Sequence, residues 1–223
     1  MKDFFYPRRV AVIGVSLSSD NLARNIISNL MAFEFSGEIF SVGLKGGVFF
    51  GQRIYPSLNE ISGPIDLAVI LTPAATIPEV LRECGEKGIK RVVIESGGFR
   101  EFSQDRARLE QEILRVAEDY TIRFIGPNGL GGINMENGLC LPFMPMHKEM
   151  RLGRISIISQ SGGVGLSYLG FLASENIGIN KFVSMGNKLN VDENELLEYL
   201  IEDPGTEIIC LYLEGISDGR RFM

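Results

Sequence analysis

Two short stretches carry the residue types that chemistry at a phosphate would need. The first is RISIISQSGGVG, residues 154–165, where an apolar β-branched run stops at Ser159, Gln160, Ser161, Gly162 and Gly163 and an apolar helical pattern begins. A loop between a strand and a helix can aim its N–H groups and hydroxyls at one point beside the positive end of the helix dipole. These five residues are therefore candidates for holding an anion, and the glycines let a ligand come close to the main chain. A glycine-rich turn with Ser161 as helix cap accounts for the same pattern without a ligand. The second stretch is AVIGVSLSSDNLARNIISNL, residues 11–30, where a strand ends at Gly14 and a polar loop leads into a helix. That is where a dinucleotide fold meets a pyrophosphate. No further glycine follows Gly14 in the loop, and Asp20 adds negative charge. A plain turn with Asp20 as N-cap fits equally well.

Little else in the chain has reactive spacing. There is one histidine, His147, in PFMPMHKEM, and no His/Cys/Asp/Glu grouping with metal-ligand spacing, so no metal is expected. Cys84, Cys140 and Cys210 are odd in number and form no Cys-x-x-Cys pair, which suggests buried thiols in a reducing compartment. Cys84, on an amphipathic helix, reads as core. Met144 and Met146 read as packing residues at a domain interface. The acid-rich VDENELLEYLIEDP reads most simply as a solvated helix face, with contact to a partner subunit as the other reading.

The elements that must position these loops follow from periodicity. Nearly continuous apolar runs at 9–13, 38–42, 66–71, 91–94 and 122–125 predict strands of a parallel sheet covered on both faces. Between them, 22–33, 77–87 and 104–119 carry apolar residues at helical spacing. In the third, Leu109, Ile113 and Val116 make a stripe, with Glu110, Glu112 and Arg115 toward water. Strict alternation of strand and helix means βαβ units and a doubly wound, Rossmann-like sheet, assigned to a domain of residues 1–127. Residues 128–150 are dense in Gly, Pro, Asn and Met and read as a linker. A second α/β domain, 151–223, follows, with strands at 155–159, 181–184 and 207–213 and helices from about 163 and over 193–202. Residues 218–223 look like the first turn of another helix. Three strands leave this domain apparently incomplete, as in a piece of a longer chain.

Bulk properties set limits on partners. The chain has 223 residues, is 45% hydrophobic and carries a formal charge of −6, with a pI near 5.0. It is long enough to bury a sizeable core. Its charge argues against an electrostatic grip on nucleic acid. No apolar run reaches the roughly 18 residues of a membrane span, and the N-terminus lacks the pattern of a secretory signal. A soluble, cytoplasmic protein without a membrane partner is expected.

Several long stretches resemble the NDP-forming acyl-CoA synthetases, which include ADP-forming acetyl-CoA synthetases and the α subunit of succinyl-CoA ligase. They are YPSLNEISGPIDLAVILTPAATIPEVLRECGEKGIKRVVIESGGF (55–99), GPNGLGGIN (126–134), GRISIISQSGGVG (153–165), SMGNKLNVDENELLEYLIEDPGTEII (184–209) and YLEGISDGRRF (212–222), in order over almost the whole chain. The resemblance implies a CoA-binding Rossmann-like domain followed by a flavodoxin-like ligase domain. It implies a reaction in which acyl-CoA, NDP and phosphate interconvert with acid, CoA and NTP through a phosphohistidine. By the same resemblance, Gly14, Val15 and Ser16 would line the phosphate–adenosine end of CoA, and Lys45 would meet a CoA phosphate. Thr72 and Pro73 would border the nucleotide or pantetheine, and Ser96, Gly97, Gly98 and Phe99 would close the pocket. Ser159, Gln160, Ser161, Gly162 and Gly163 would hold a phosphate carried by histidine, and Glu214 would orient the histidine ring. For Glu214, an ordinary solvated carboxylate after a strand is the other reading.

The chain departs from the family in three places. The usual Gly-Lys pair and later Gly of the first loop are replaced by Asp20, Asn21 and Ala23, and Val-Asn-Pro-Lys is replaced by Val42-Gly43-Leu44-Lys45. Each lost cation or added carboxylate weakens phosphate binding by up to about 1 kcal/mol when exposed. The family's phosphorylated histidine lies well after the strand carrying Glu214, and His147 precedes the Ser-Gln-Ser-Gly-Gly loop. The resemblance therefore implies that this chain alone would not turn over, that a nucleotide-grasp (ATP-grasp) subunit or domain is the partner, and that self-association as a homo-oligomer accompanies it. A non-catalytic CoA- or nucleotide-sensing module is the alternative. An NAD-type Rossmann protein is a weaker third, since GxGxxG and an acidic end to the second strand are both missing.

Overall fold

The computed structural model describes residues 1–99, 107–146 and 149–223. Two sheets carry the chain. The first holds β1 (Arg9–Ile13), β2 (Glu38–Val42), β3 (Gly47–Phe49), β4 (Gln52–Tyr55), β5 (Leu67–Ile70), β6 (Arg91–Ile94) and β7 (Arg123–Ile125), in the order β3-β4-β2-β1-β5-β6-β7. All neighbours are parallel except the β3–β4 hairpin. Helices α2 (Ala23–Ala32), α3 (Ile77–Glu86) and α4 (Ala107–Asp119) make the crossovers, and a short α1 (Lys2–Phe5) precedes β1. The strand order reverses at β1, between β2 and β5, so the loops after β1 and β5 part there and open a crevice at the carboxyl ends.

Alternation along the strands puts core on both faces. In β1, Ala11 and Ile13 pack with Ala68 and Ile70 of β5 and with Ile77, Leu81 and Cys84 of α3. Val10 and Val12 point the other way and join Ile26, Ile27 and Leu30 of α2. That second cluster does not stop at the first sheet. It continues into Ile158, Val183, Met185, Leu196 and Leu200 of the second, so the two sheets share one core.

The second sheet holds β8 (Gly131–Asn134), β9 (Leu139–Cys140), β10 (Leu152–Ser159), β11 (Ile179–Ser184) and β12 (Ile208–Tyr212), in the order β12-β10-β11-β8-β9. Its helices are α5 (Gly162–Ser174), α6 (Glu193–Ile201) and α7 (Gly219–Phe222), the last capped by Asp218. β10, β11 and β12 are parallel, as the apolar runs predict, whereas β8 and β9 are antiparallel. The architecture is the expected one: a Rossmann-like sheet followed by a flavodoxin-like α/β sheet.

Three expectations need correction. Residues 128–150, which read as a linker, supply β8 and β9, and Leu139, Leu141 and Met150 are buried. Glu110 is buried rather than water-facing, because it shares the inner face of α4 with Ile113 and Ala117 at helical spacing. The acidic segment at 191–204 is no simple solvated face. Glu193 and Asp203 are buried against Lys188 and Lys181, which neutralise them. Two of the three cysteines, Cys84 and Cys140, are buried, and burial pushes their thiols up, while Cys210 is partly exposed. No helix among the described residues is long and apolar enough to cross a membrane.

Candidate functional site

The Ser-Gln-Ser-Gly-Gly loop lies between β10 and α5, as its sequence predicts. Ser161 is the N-cap of α5, accepting from the Val164 N–H at 3.4 Å, and Ser159 Oγ donates to the Ser161 carbonyl at 2.6 Å. The capping and anion-holding readings are therefore not exclusive. The hydroxyl caps, while the first N–H groups of a helix have no acceptor within it, and the space where a Gly163 side chain would stand is open. Gln160 ties this loop to the end of β12. Its N–H donates to the Tyr212 carbonyl at 2.8 Å, and its Oε1 accepts from the Glu214 N–H at 2.9 Å. Gln160 thus sets the position of Glu214 directly.

A cavity of about 710 Å³ opens in front of this loop. One wall is Gln160, Ser161, Gly162, Gly163 and Glu214. The carboxyl ends of the first sheet contribute Leu71, Glu95 and Gly97. Asn128, Gly129, Leu130, Gly186, Asn187, Phe143 and Met144 line it as well. Each wall has a local cause. Asn128 is held by its N–H on the Ser96 carbonyl, and Asn187 by its N–H on the Pro127 carbonyl. Asn25 and Asn29 of α2 reach across to the carbonyls of Pro142, Phe143 and Met144. Below, Lys188 bonds Glu193 at 2.8 Å and the Gly215 carbonyl at 2.6 Å, anchoring the loop after Glu214. Burial alone would raise the Glu193 carboxyl, but Lys188 and the Ser217 N–H overcome it and hold it below the ordinary range.

Of the sequence-predicted residues, Gly97, Gln160, Ser161, Gly162, Gly163 and Glu214 line this cavity, and Ser159 supports the loop from behind. Of the others, Gly14, Ser16, Thr72, Pro73 and Ser96 follow the carboxyl ends of β1, β5 and β6. Gly14 has φ +106 and stands so close to β5 that a Cβ would lie 2.2 Å from the Leu71 carbonyl oxygen. Ser96 Oγ accepts from the Thr72 N–H at 3.0 Å, fixing the Thr72–Pro73 turn. Lys45 is exposed on the loop before β3, Val15 is buried, and Phe99 is wholly buried in the core on the far face of the sheet. Asp20 does not cap α2, whose N-cap is Leu22 with no side-chain cap. Asn21 organises that loop instead. Its Oδ1 accepts from the Ser16 N–H at 3.2 Å and its Nδ2 donates to the Gly14 carbonyl at 2.9 Å. The Gly14 and Val15 N–H groups both donate to the Val42 carbonyl. His147 lies outside the described residues.

Sequence reasoning missed Glu95, Asn128, Leu130, Asn187 and the supporting Asn29. Glu95 alone left a trace, as a charge ending the apolar run RVVI. It is buried at 2% exposure, neither carboxyl oxygen has a hydrogen-bond partner among the described residues, and burial holds the group well above the usual carboxylate range.

A CoA binding domain model matches residues 8–135, and a model of the succinyl-CoA ligase like flavodoxin domain matches 152–223. ADP-forming acetate–CoA ligase I of Archaeoglobus fulgidus is 40% identical over the whole chain, which covers 32% of that protein. The α subunit of ADP-forming acetate–CoA ligase I of Pyrococcus furiosus is 38% identical, again over the whole chain and 49% of its own length. The structure of dinucleotide forming acetyl-coenzyme A synthetase 1 of Ca. Korarchaeum cryptofilum, in complex with phosphate and ADP, superposes with a TM-score of 0.93. It is 34% identical and covers 99% of this chain and 47% of the other. The chain therefore spans about half the length, or less, of these three relatives.

Proposed function

Since the chain belongs to the NDP-forming acyl-CoA synthetase family, we propose that it binds coenzyme A or an acyl-CoA along the crevice of the first sheet and presents the thiol end to the cavity. In this reading, Gly14, Val15, Ser16 and Lys45 border the phosphate–adenosine end, and Thr72, Pro73 and the 96–99 loop border the pantetheine arm. Ser159, Gln160, Ser161, Gly162 and Gly163 cradle a phosphoryl group, and Glu214 orients the histidine that carries it. The whole protein's reaction would be acyl-CoA with NDP and phosphate to acid, CoA and NTP. The chain's single histidine precedes the cradle, so the phosphorylated histidine is expected from another segment or subunit. The nucleotide site is expected from an ATP-grasp partner. Residues 1–127 would act as the CoA domain, and 151–223 as part of the ligase domain.

The observation that carries this reading is the convergence of the α5 N-terminus and Glu214, linked by Gln160, on the same cavity as the carboxyl ends of the CoA-binding sheet. Isothermal titration with CoA and acetyl-CoA tests it. Saturable heat is expected, and no heat with either ligand overturns it. One observation favours a second reading, a non-catalytic CoA sensor. Asn21 and Val42 already occupy the N–H groups of Gly14, Val15 and Ser16, the donors a phosphate there would use. CoA binding that is indifferent to added phosphate and to Ser161→Ala would support the sensor.

A further inference from the structure

Glu214 lines the cavity from an exposed loop, and its carboxylate has no hydrogen-bond partner among the described residues. Where that carboxylate stands therefore depends on what holds its main chain. Residues 214–218 are all exposed and precede α7, outside any strand or helix, so the loop does not fix itself. Four side chains hold it from outside. Gln160 accepts from the Glu214 N–H at 2.9 Å. One residue on, Lys188 Nζ donates to the Gly215 carbonyl at 2.6 Å. Glu193 accepts from the Ser217 N–H and, at 3.3 Å, from the Ser217 hydroxyl. Asn194 Nδ2 donates to the Asp218 carbonyl at 3.3 Å.

Two of these anchors form an ion pair. Lys188 meets Glu193 at 2.8 Å, with side chains 12% and 0% exposed. A pair so buried adds little stability over apolar residues of similar size, because leaving water costs about as much as the attraction returns. Stability alone does not account for it, yet both partners direct further hydrogen bonds at the loop of Glu214. Lys188 is also fixed at its other end. Its φ of +42 is unfavourable for a residue with a side chain. The N–H groups on either side of it, of Asn187 and Leu189, donate to the carbonyls of Pro127 at 2.8 Å and Gly126 at 3.0 Å. Lys188 is thus a strut, with its main chain against the segment after β7 and its ammonium on the loop of Glu214.

We propose that Lys188, together with Glu193, is a positioning residue that sets the Glu214 carboxylate at the distance from the Ser-Gln-Ser-Gly-Gly loop that a phosphorylated imidazole requires. This rests on the phosphohistidine reading above. A phosphorylated imidazole has two polar ends. Its phosphoryl oxygens accept from the N–H groups of the loop, and its far ring nitrogen, when protonated, donates an N–H to a carboxylate. Inorganic phosphate has only the first kind of end. A carboxylate displaced by about 1 Å loses the second contact and leaves the first intact, since an N–H···O bond holds only over a narrow range of distance.

The test is isothermal titration of the 223-residue chain, near neutral pH, with 1-phosphoimidazole and with inorganic phosphate. Wild type should bind 1-phosphoimidazole about tenfold more tightly than Glu214→Ala does, the worth of a hydrogen bond to a charged group. Lys188→Met alone would strand the buried Glu193 charge and threaten the fold. The pair is therefore replaced together, as Lys188→Met with Glu193→Gln, which keeps an acceptor for the Ser217 N–H. This double variant should lose most of the advantage for 1-phosphoimidazole, and adding Glu214→Ala to it should cost little more. Its affinity for inorganic phosphate should stay within about twofold of wild type. A merely structural role would weaken both ligands together, with or without Glu214. Such a parallel loss, or a double variant that keeps the full advantage, overturns this inference and leaves the phosphohistidine reading standing. If wild type binds neither ligand, or holds no advantage over Glu214→Ala, that reading falls and this inference falls with it.

Discussion

Asn29 has no part in the proposed chemistry, yet the cavity wall hangs on it. Its Nδ2 donates to the carbonyls of Pro142 at 2.7 Å and Met144 at 2.8 Å, and its Oδ1 accepts from the Met146 N–H at 3.2 Å. The residue is buried at 5% exposure, in the middle of α2. Asn29→Ala removes these three bonds at a net cost of about 1 kcal/mol each. The Pro142 carbonyl is buried and would be left without a donor, which adds to the loss, whereas the exposed Met144 carbonyl can turn to water. Alanine is the better helix former by roughly half a kcal/mol, which offsets part of it. The expected loss is therefore about 2–4 kcal/mol, or roughly 1–2 M in urea midpoint at a slope near 2 kcal/mol/M. Hydrogen exchange gives the local readout: the Met146 amide should lose its protection while β1 and β5 keep theirs. Asn25→Ala, which removes only the bond to the Phe143 carbonyl at 2.9 Å, should cost about 1 kcal/mol. A loss below about half a kcal/mol for Asn29→Ala, with Met146 still protected, would refute the view that α2 holds this wall in place.

Gly14→Ala should destabilise by at least about 2 kcal/mol, since a side chain at φ +106 is strained and its Cβ would clash with the Leu71 carbonyl. Gly163→Ala, in open space on the first turn of α5, should leave the melting temperature within a degree or two and act only on phosphate affinity. Differential scanning calorimetry on the pair checks both. Glu95 should make stability depend on pH in a defined direction. Its folded-state pKa is raised above the ordinary 4.5, so below that value the acid form is present in both folded and unfolded chains and nothing is lost. As pH rises past it, the unfolded chain releases a proton that the folded one retains, and stability falls until the folded pKa is passed. Denaturation of wild type and Glu95→Gln across pH should show the two alike near pH 4 and wild type progressively the weaker above it. Parallel curves would contradict the buried, unpaired state.

The strands legible in the sequence are those that carry a run of apolar residues. β1 and β6 fall at the expected residues because a parallel strand covered on both faces reads as a nearly unbroken apolar run, and β2 is read from Ile39, Phe40 and Val42 although Glu38 is exposed. The hairpin of β3 and β4 went unread, since the edge strand β3 leaves Val48 exposed and pairs only through a tight turn at Phe50 and Gly51. β8 and β9 went unread for another reason. GGIN and LC are too short to show a period, and what buries them is β11 and the first sheet rather than any pattern of their own. α1 is likewise a local run of four residues fixed by distant partners. Phe5 stacks on Tyr199 at 5.0 Å, and its carbonyl accepts from Asn134 and Asn137.

The same distinction explains why half of the candidate site could be read and half could not. A strand-to-helix loop announces itself, because the chain must change period there, and Ser-Gln-Ser-Gly-Gly is such a place. A wall made by side chains from several segments has no sequence signature. Glu95, Leu130, Phe143 and Asn187 come together only because β11 lies between β10 and β8, and because the stretch after it runs beside 124–128, with N–H groups of Asn187, Leu189 and Val191 on the carbonyls of Pro127, Gly126 and Phe124. That pairing makes the segment after β11 and the end of the first sheet one surface, so the Ser-Gln-Ser-Gly-Gly loop and the crevice of the first sheet cannot move apart without breaking it. A shared core beneath them, from Val10 and Leu30 to Ile158 and Leu196, resists the same motion. The geometry therefore makes the Ser-Gln-Ser-Gly-Gly loop and the carboxyl ends of the first sheet two walls of one cavity that move together.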